Sequence, residues 1–347
     1  MSNTKGFAVY SKGEALREFD FNRRELNSND VKIDILYCGV CHSDLHVVND
    51  DWGISSYPVV PGHEIIGRVV ELGSDVKGFE LGELVGVGCM VDSCTDCDHC
   101  HKDLEQYCLN GWTMTYGSED KHMPGSITQG GYSTQVVVRD HFVLHVSEKL
   151  DIKGVAPLLC AGITTYSPLK YFNVQKGQKV GVVGLGGLGH LAVKLAAAMG
   201  AYVVMITTSE SKGADAKRLG AHEVLVSKDP EQMAKHIDSF DLILNTIPVK
   251  HNLDPYIPLM KFETSMVMLG LPQTEVNTFP MMGRKSITGS LIGGIKETQE
   301  MLDFCAEHNI VADIELINMQ DINEAYQRMQ KSDIKYRFVI DMASLKK

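Results

Sequence analysis

The chain has 347 residues, 44% of them hydrophobic and 22% charged, so it can bury a large core and wholesale disorder is excluded. It carries 33 Lys and Arg against 44 Asp and Glu, and its net charge of −11 repels phosphate backbones and anionic membrane surfaces. Nucleic acid is therefore not expected as a partner, and no apolar run of about 18 residues marks a membrane helix. The first residues, MSNTKGFAVYSKGEALREFD, offer no apolar segment of a signal peptide. The nine cysteines are Cys38, Cys41, Cys89, Cys94, Cys97, Cys100, Cys108, Cys160 and Cys305. An odd, unevenly clustered set does not describe a disulfide framework. It describes reduced thiols, some of them metal ligands, and a cytoplasmic location.

Residues 1–150 predict a β-rich region. Val31, Ile33 and Ile35 alternate with polar residues, as on a half-buried strand. Ile65–Glu71 and Tyr132–Val138 are further strands rich in β-branched residues, and frequent glycines cut the region into short strands and turns. From about Gly177, strands alternate with helices. Lys179–Val183 is a short apolar strand. Leu188, Leu191, Ala192, Leu195, Ala196 and Met199 then form one helix face, stopped at Gly200. A strand at 202–206, a helix ending at Gly220 and strands at 223–226, 241–246 and 265–269 follow. This order implies an α/β unit with a doubly wound parallel sheet. In the tail, 296–308 is an amphipathic helix. Asp321 and Glu324 form a capping box before a helix at 325–329, and Tyr336–Asp341 is a last strand.

The strongest chemical signal is Cys94, Cys97, Cys100 and Cys108, four thiols within fifteen residues. Such a set suits a closed, tetrahedral zinc site, although an iron–sulfur cluster uses the same ligand type. The surrounding Asp92, Asp96, Asp98, Asp103 and Glu105, against Lys102, disfavour a nucleic-acid-binding zinc ribbon. The second signal is Gly184-Leu185-Gly186-Gly187-Leu188-Gly189, placed between a strand and a helix as a dinucleotide-binding turn requires. The turn would bring a pyrophosphate to the helix N-terminus. The next strand runs into Thr207-Thr208-Ser209-Glu210-Ser211-Lys212. An NAD enzyme places Asp or Glu there for the ribose diol. Small hydroxyls before a lysine, with Arg218 further on, suit a 2′-phosphate, so NADP is favoured over NAD. Glu210 is the competing feature. The third signal is dispersed over Cys41-His42-Ser43-Asp44-Leu45-His46, Gly62-His63-Glu64 and Cys160. Two thiols and one imidazole form the donor set of a catalytic zinc with an open position, but spacing alone does not group them.

Taken together, the chain resembles the zinc-dependent medium-chain alcohol dehydrogenases, in the cinnamyl alcohol dehydrogenase branch. The resemblance is carried by Cys38 to His46, Pro61 to Glu64, the four-cysteine lobe, Pro157 to Pro168, Gly184 to Gly189 and Gly289 to Ile295, in the family's order. It implies a GroES-like β-rich catalytic domain, residues 1–152 and 291–347, with a Rossmann NADP-binding domain, residues 153–290, inserted into it. Cys41, His63 and Cys160 would hold a catalytic zinc, with Glu64 able to enter its coordination. Cys94, Cys97, Cys100 and Cys108 would hold a structural zinc. Asp44 would orient the ring of His63, and Ser43 and His46 would relay the proton. Gly184–Gly189 with Thr207, Thr208, Ser209 and Lys212 would bind the cofactor. Trp52, Tyr57 and Trp112 would wall the substrate pocket, and Leu291–Ile295 would approach the nicotinamide.

The function so implied is reversible, zinc-assisted hydride transfer from NADPH to aromatic and aliphatic aldehydes, giving primary alcohols. The alternatives are an NAD-dependent zinc polyol or secondary-alcohol dehydrogenase and a non-catalytic zinc-binding protein that kept the fold. A small-molecule substrate is expected, with no nucleic-acid or membrane partner. A homodimer is the family expectation, with a tetramer as the other possibility.

Overall fold

The computed structural model describes residues 2–270 and 274–346. They fall into two compact units. One takes the chain up to Cys160 and again from Gly293 onward; the other spans Ala161–Ile292. The division comes at 160/161 rather than 152/153 because the turns after Asp151 are tied to the first unit. Ala312 N–H donates to the Gly154 carbonyl at 2.9 Å, and Leu159 fills the space over Gly86 and Gly88.

The first unit is built around the strand Asp30–Val40, which pairs antiparallel with Ile65–Leu72, Gln135–Arg139 and Arg337–Asp341. Val31, Ile33 and Ile35 point into the core, as their alternation requires. The strand 337–341 lays Phe338 opposite Val40 and Ile340 opposite Cys38. This register delivers tail residues to the segment that precedes Cys41. Strands Leu84–Val87, Leu144–His145 and Ile314–Asn318 complete the sheet.

The second unit is a six-stranded, all-parallel sheet. Its order is 223–226, 202–207, 179–183, 240–245, 260–268, 286–289. The chain thus enters at a central strand, winds outward one way and then the other, leaving a switch point at the carboxyl end of Lys179–Val183. Val183, Val204, Ile206, Leu225, Phe240 and Ile243 pack as its core.

Two sequence expectations shift. The strand expected from Tyr132 begins at Gln135. Tyr132 is instead held against the 61–62 turn, its N–H donating to the Pro61 carbonyl at 3.0 Å. The capping box also moves upstream. Asp321 accepts from the Asn318 N–H at 3.2 Å, closing the turn Met319–Asp321, and makes no side-chain cap on the helix Ile322–Gln330.

Candidate active site

Cys41 is the N-cap of the helix His42–Val48, and the carboxylate of Asp44 closes that cap by accepting the Cys41 N–H at 2.8 Å. His63 follows the tight turn at Gly62, whose φ of +101° suits glycine. Cys160 ends the short turn Ala156–Leu159. These three segments, each in the first unit, bring their donor atoms together with Glu64. One ligand atom from each of Cys41, His63, Glu64 and Cys160 lies within 4.8 Å of all the others, and all four residues are buried. The two sulfurs are 4.0 Å apart. Zinc bound tetrahedrally to two thiolates sets sulfurs about 3.8 Å apart, so the pair fits such an ion. The neighbouring sulfur of Cys160 pulls the Cys41 thiol well below its ordinary range, against the opposing effect of burial.

His63 donates its Nδ1 proton to Asp44 Oδ1 at 3.0 Å, which leaves Nε2 for a metal. Asp44 is fully buried and collects further donors: Gly62 N–H at 3.1 Å, the Tyr116 hydroxyl at 2.7 Å and the Tyr132 hydroxyl at 3.1 Å. Burial, then the charge of Asp44, raises both phenols well above their ordinary range, so they stay protonated and donate.

Glu64 is also fully buried. Its Oε1 accepts from Arg337 Nη2 at 2.5 Å, while Arg337 also donates to the Val40 carbonyl at 2.8 Å. Oε2 has no hydrogen-bond partner. It occupies the place of the missing side chain at Gly39, where a Cβ would lie 1.9 Å from it. Burial pushes the Glu64 carboxyl up to about 7, although Arg337 pulls it down. A buried carboxylate oxygen among two thiols and an imidazole fits a site that takes a cation.

Ser43 and His46 sit three residues apart on the helix 42–48 and therefore share a face. His46 Nδ1 bonds Asp51 Oδ2 at 2.8 Å, and its ring lies 5.2 Å from that of Trp52.

The four-cysteine lobe wraps on itself. Its sulfurs approach at 3.4 Å (Cys94–Cys108), 3.5 Å (Cys97–Cys100) and 3.9 Å (Cys94–Cys100). Backbone N–H groups also point at the sulfurs, with Leu109 N–H donating to Cys97 at 3.4 Å. Such a closed set fits a structural zinc ion.

In the second unit, Gly184 ends the strand 179–183 with φ +94°, and a Cβ at Gly189 would lie 1.9 Å from the Gly184 carbonyl. The turn therefore closes tightly before the helix Gly189–Ala198. A Cβ at Gly186 would meet nothing within 4 Å, which leaves an open approach to the backbone. Thr207 is buried at the end of its strand, whereas Thr208, Ser209, Glu210 and Lys212 are exposed. Ser209 caps the turn Glu210–Lys212, accepting from Ser211 N–H at 3.2 Å. Arg218 is paired with Asp215 at 3.1 Å.

Residues 27–148 match the family description "Alcohol dehydrogenase GroES-like domain", and residues 187–307 match "Zinc-binding dehydrogenase". The chain is 54% identical over 347 residues to "Aldehyde reductase YahK" of Escherichia coli (strain K12), covering 98% of this chain and 99% of that protein. The chain belongs to the zinc-dependent alcohol dehydrogenase family, in its cinnamyl alcohol dehydrogenase branch. Among solved structures, a cinnamyl alcohol dehydrogenase of Sorghum bicolor superimposes with a TM-score of 0.95 at 42% identity, covering 99% of this chain and 98% of that one. The Helicobacter pylori cinnamyl alcohol dehydrogenase complexed with NADP(H) gives 0.92 at 44% identity, covering 98% of each chain.

In this alcohol dehydrogenase, Trp52 is exposed and Trp112 half-buried. The Tyr57 hydroxyl is spent on the carbonyls of Val47 and Val48, at 3.2 and 3.1 Å, and so anchors the end of the helix 42–48. Sequence reasoning missed Arg337, Asp51, Tyr116 and Tyr132. Asp51 stands beside Trp52 but carries no spacing signal. Arg337 lies 273 residues from Glu64, and only strand pairing brings them together.

Proposed function

We propose that the enzyme reversibly reduces aldehydes, aromatic ones of the cinnamyl and benzyl type as well as aliphatic ones, to primary alcohols with NADPH. The convergence of Cys41, His63 and Cys160 with a Glu64 carboxylate oxygen carries this reading. Cys41, His63 and Cys160 would hold one zinc ion, and Cys94, Cys97, Cys100 and Cys108 a second. When bound, the first zinc supplies a Lewis acid for a carbonyl oxygen, and NADPH supplies the hydride.

The chain's own residues do the remaining work. Two thiolates and a neutral imidazole give the site two negative charges before metal binding, which a dication would neutralise. Asp44 fixes the tautomer and the angle of His63. Arg337 holds the Glu64 carboxylate in place by its Oε1. Ser43 gives its hydroxyl proton to the product oxygen, and His46 replenishes it. Asp51 accepts from His46 Nδ1, fixing the tautomer that leaves Nε2 for the relay. Ser43→Ala is expected to lower kcat about a hundredfold while leaving zinc content at the native level, since positioned proton transfer contributes about 10²–10⁴-fold. Stopped-flow absorbance at the NADPH band checks this. An unchanged single-turnover rate would remove Ser43 from the relay.

Gly184–Gly189 would cradle the pyrophosphate, and Thr208, Ser209 and Lys212 the 2′-phosphate. Lys212→Ala should weaken NADPH by about tenfold, the size of one charge-assisted hydrogen bond. NADH should be unaffected in the same fluorescence titration. Equal weakening of both cofactors would take the 2′-phosphate role from Lys212. A homodimer belongs to this reading, supported by the strand Ser286–Gly289 at the edge of the parallel sheet. So does a cytoplasmic location, supported by two thiol clusters that bind metal only when reduced. Among the described residues, no helix is long and apolar enough to cross a membrane.

Initial rates test the whole reading, with benzaldehyde-type aldehydes and with polyols under both cofactors. Aldehyde reduction with a clear NADPH preference is expected. Polyol oxidation with NAD in its place would overturn it.

A further inference from the structure

Asp44 is the point where the metal site meets the rest of its unit, and what surrounds it exceeds the needs of orienting one ring. On Oδ1 converge Gly62 N–H, His63 Nδ1–H and the Tyr116 hydroxyl. On Oδ2 converge Cys41 N–H and the Tyr132 hydroxyl. Behind them Tyr326, on the helix 322–330, donates to the Tyr132 oxygen at 3.4 Å. The hydroxyl protons thus run one way, toward Asp44. The three tyrosines are all buried, and Tyr326 lies 194 residues along the chain from Tyr132. Phenylalanine would fill the same space without a hydroxyl to satisfy, so packing alone does not call for tyrosine here.

The five donors compete for the lone pairs of one carboxylate. The shortest of these contacts, at 2.7 Å, is that of Tyr116, and it shares Oδ1 with His63. A carboxylate free to concentrate its charge on His63 would pull the Nδ1 proton harder and make Nε2 a stronger donor to a metal. Charge drawn off by the phenols has the opposite effect. We propose that Tyr116 and Tyr132, with Tyr326 behind them, are positioning residues that limit the pull of Asp44 on His63 and so keep the metal bound by Nε2 strongly Lewis-acidic. This inference rests on the metal site proposed above.

The test uses the full chain loaded with cobalt(II) in place of zinc, so that the ligand field is visible directly. The four-cysteine lobe contributes equally to wild type and variant and cancels in their difference spectrum. In Tyr116→Phe the visible d–d band should move to shorter wavelength, and metal release to a chelator should slow about threefold. With zinc restored, kcat should fall by about three- to tenfold, less than the roughly 10–100-fold of losing a direct outer-shell partner. Tyr326→Phe leaves all five donors on Asp44 in place. It should shift the band the same way by less, and it carries the test if Tyr116→Phe does not fold. Spectra superimposable on wild type, or faster metal release as from a merely loosened site, would overturn the proposal. A wild-type cobalt spectrum identical to that of Cys160→Ala would instead overturn the metal-site reading itself.

Discussion

Cys160→Ala is expected to lower kcat/KM for aldehyde reduction by about a thousandfold or more. A Lewis-acidic metal contributes several kcal/mol to a carbonyl reaction, and each 1.36 kcal/mol is a factor of ten. The loss should be this large because the site has few donors to spare. Without Cys160, the cluster keeps one thiol, one imidazole and a carboxyl that is tied to Arg337. Cys305→Ala is the control. Cys305 is equally buried but packs its sulfur 3.6 Å from that of Met301, far along the helix 295–308, and its loss should leave the rate within about twofold, as expected of a site outside the chemistry. Steady-state rates with NADPH decide the matter. A Cys160→Ala rate within tenfold of wild type would place the chemistry elsewhere.

Cys100→Ser is expected to act on stability rather than on chemistry. The lobe has little to hold it besides its thiols. Between Cys94 and Cys108 it contains only the short turns Cys100–Lys102 and Glu105–Tyr107. Yet it carries a joint to the helix 295–308, centred on the buried Glu105. Glu105 accepts the Ile295 N–H at 3.1 Å and the His141 ring at 2.9 Å, and Asp103 pairs with Lys296 at 3.0 Å. Collapse of the lobe therefore uncaps the helix Ile295–His308. Structural zinc contributes about 10–16 kcal/mol to small zinc peptides. If about 4 kcal/mol of that reaches the whole unit, the melting temperature falls by about 10 °C, at roughly 2–4 °C per kcal/mol for a unit of 150–250 residues. The fraction still folded should keep kcat within a few-fold of wild type. A melting curve identical to wild type, or a kcat loss matching that of Cys160→Ala, would contradict a purely structural lobe.

What could be read beforehand follows physical range. The lobe and the glycine turn are local: their ligands or glycines lie within fifteen residues, so spacing alone encodes geometry. The doubly wound sheet was legible because each strand and helix carries its own periodicity. The proposed catalytic set is not local, and family resemblance grouped it before any distance could. Arg337 and Tyr326 escaped, since they reach the site through the register of 337–341 on 30–40 and through the helix 322–330, while Tyr116 and Tyr132 sit in irregular segments with no periodicity to read. Register is a property of the folded sheet, invisible in either strand alone. Asp321 shows the reverse error. Two overlapping box patterns, Asn318 with Asp321 and Asp321 with Glu324, compete for one carboxylate, and the upstream turn takes it.

Diffraction data collected on both sides of the zinc absorption edge test the metal assignment most directly. Two anomalous peaks per chain are expected, one bonded to Cys41, His63 and Cys160 and one inside the ring of Cys94, Cys97, Cys100 and Cys108. A single peak in the lobe, with none within bonding distance of the first three residues, would contradict the proposed catalytic centre.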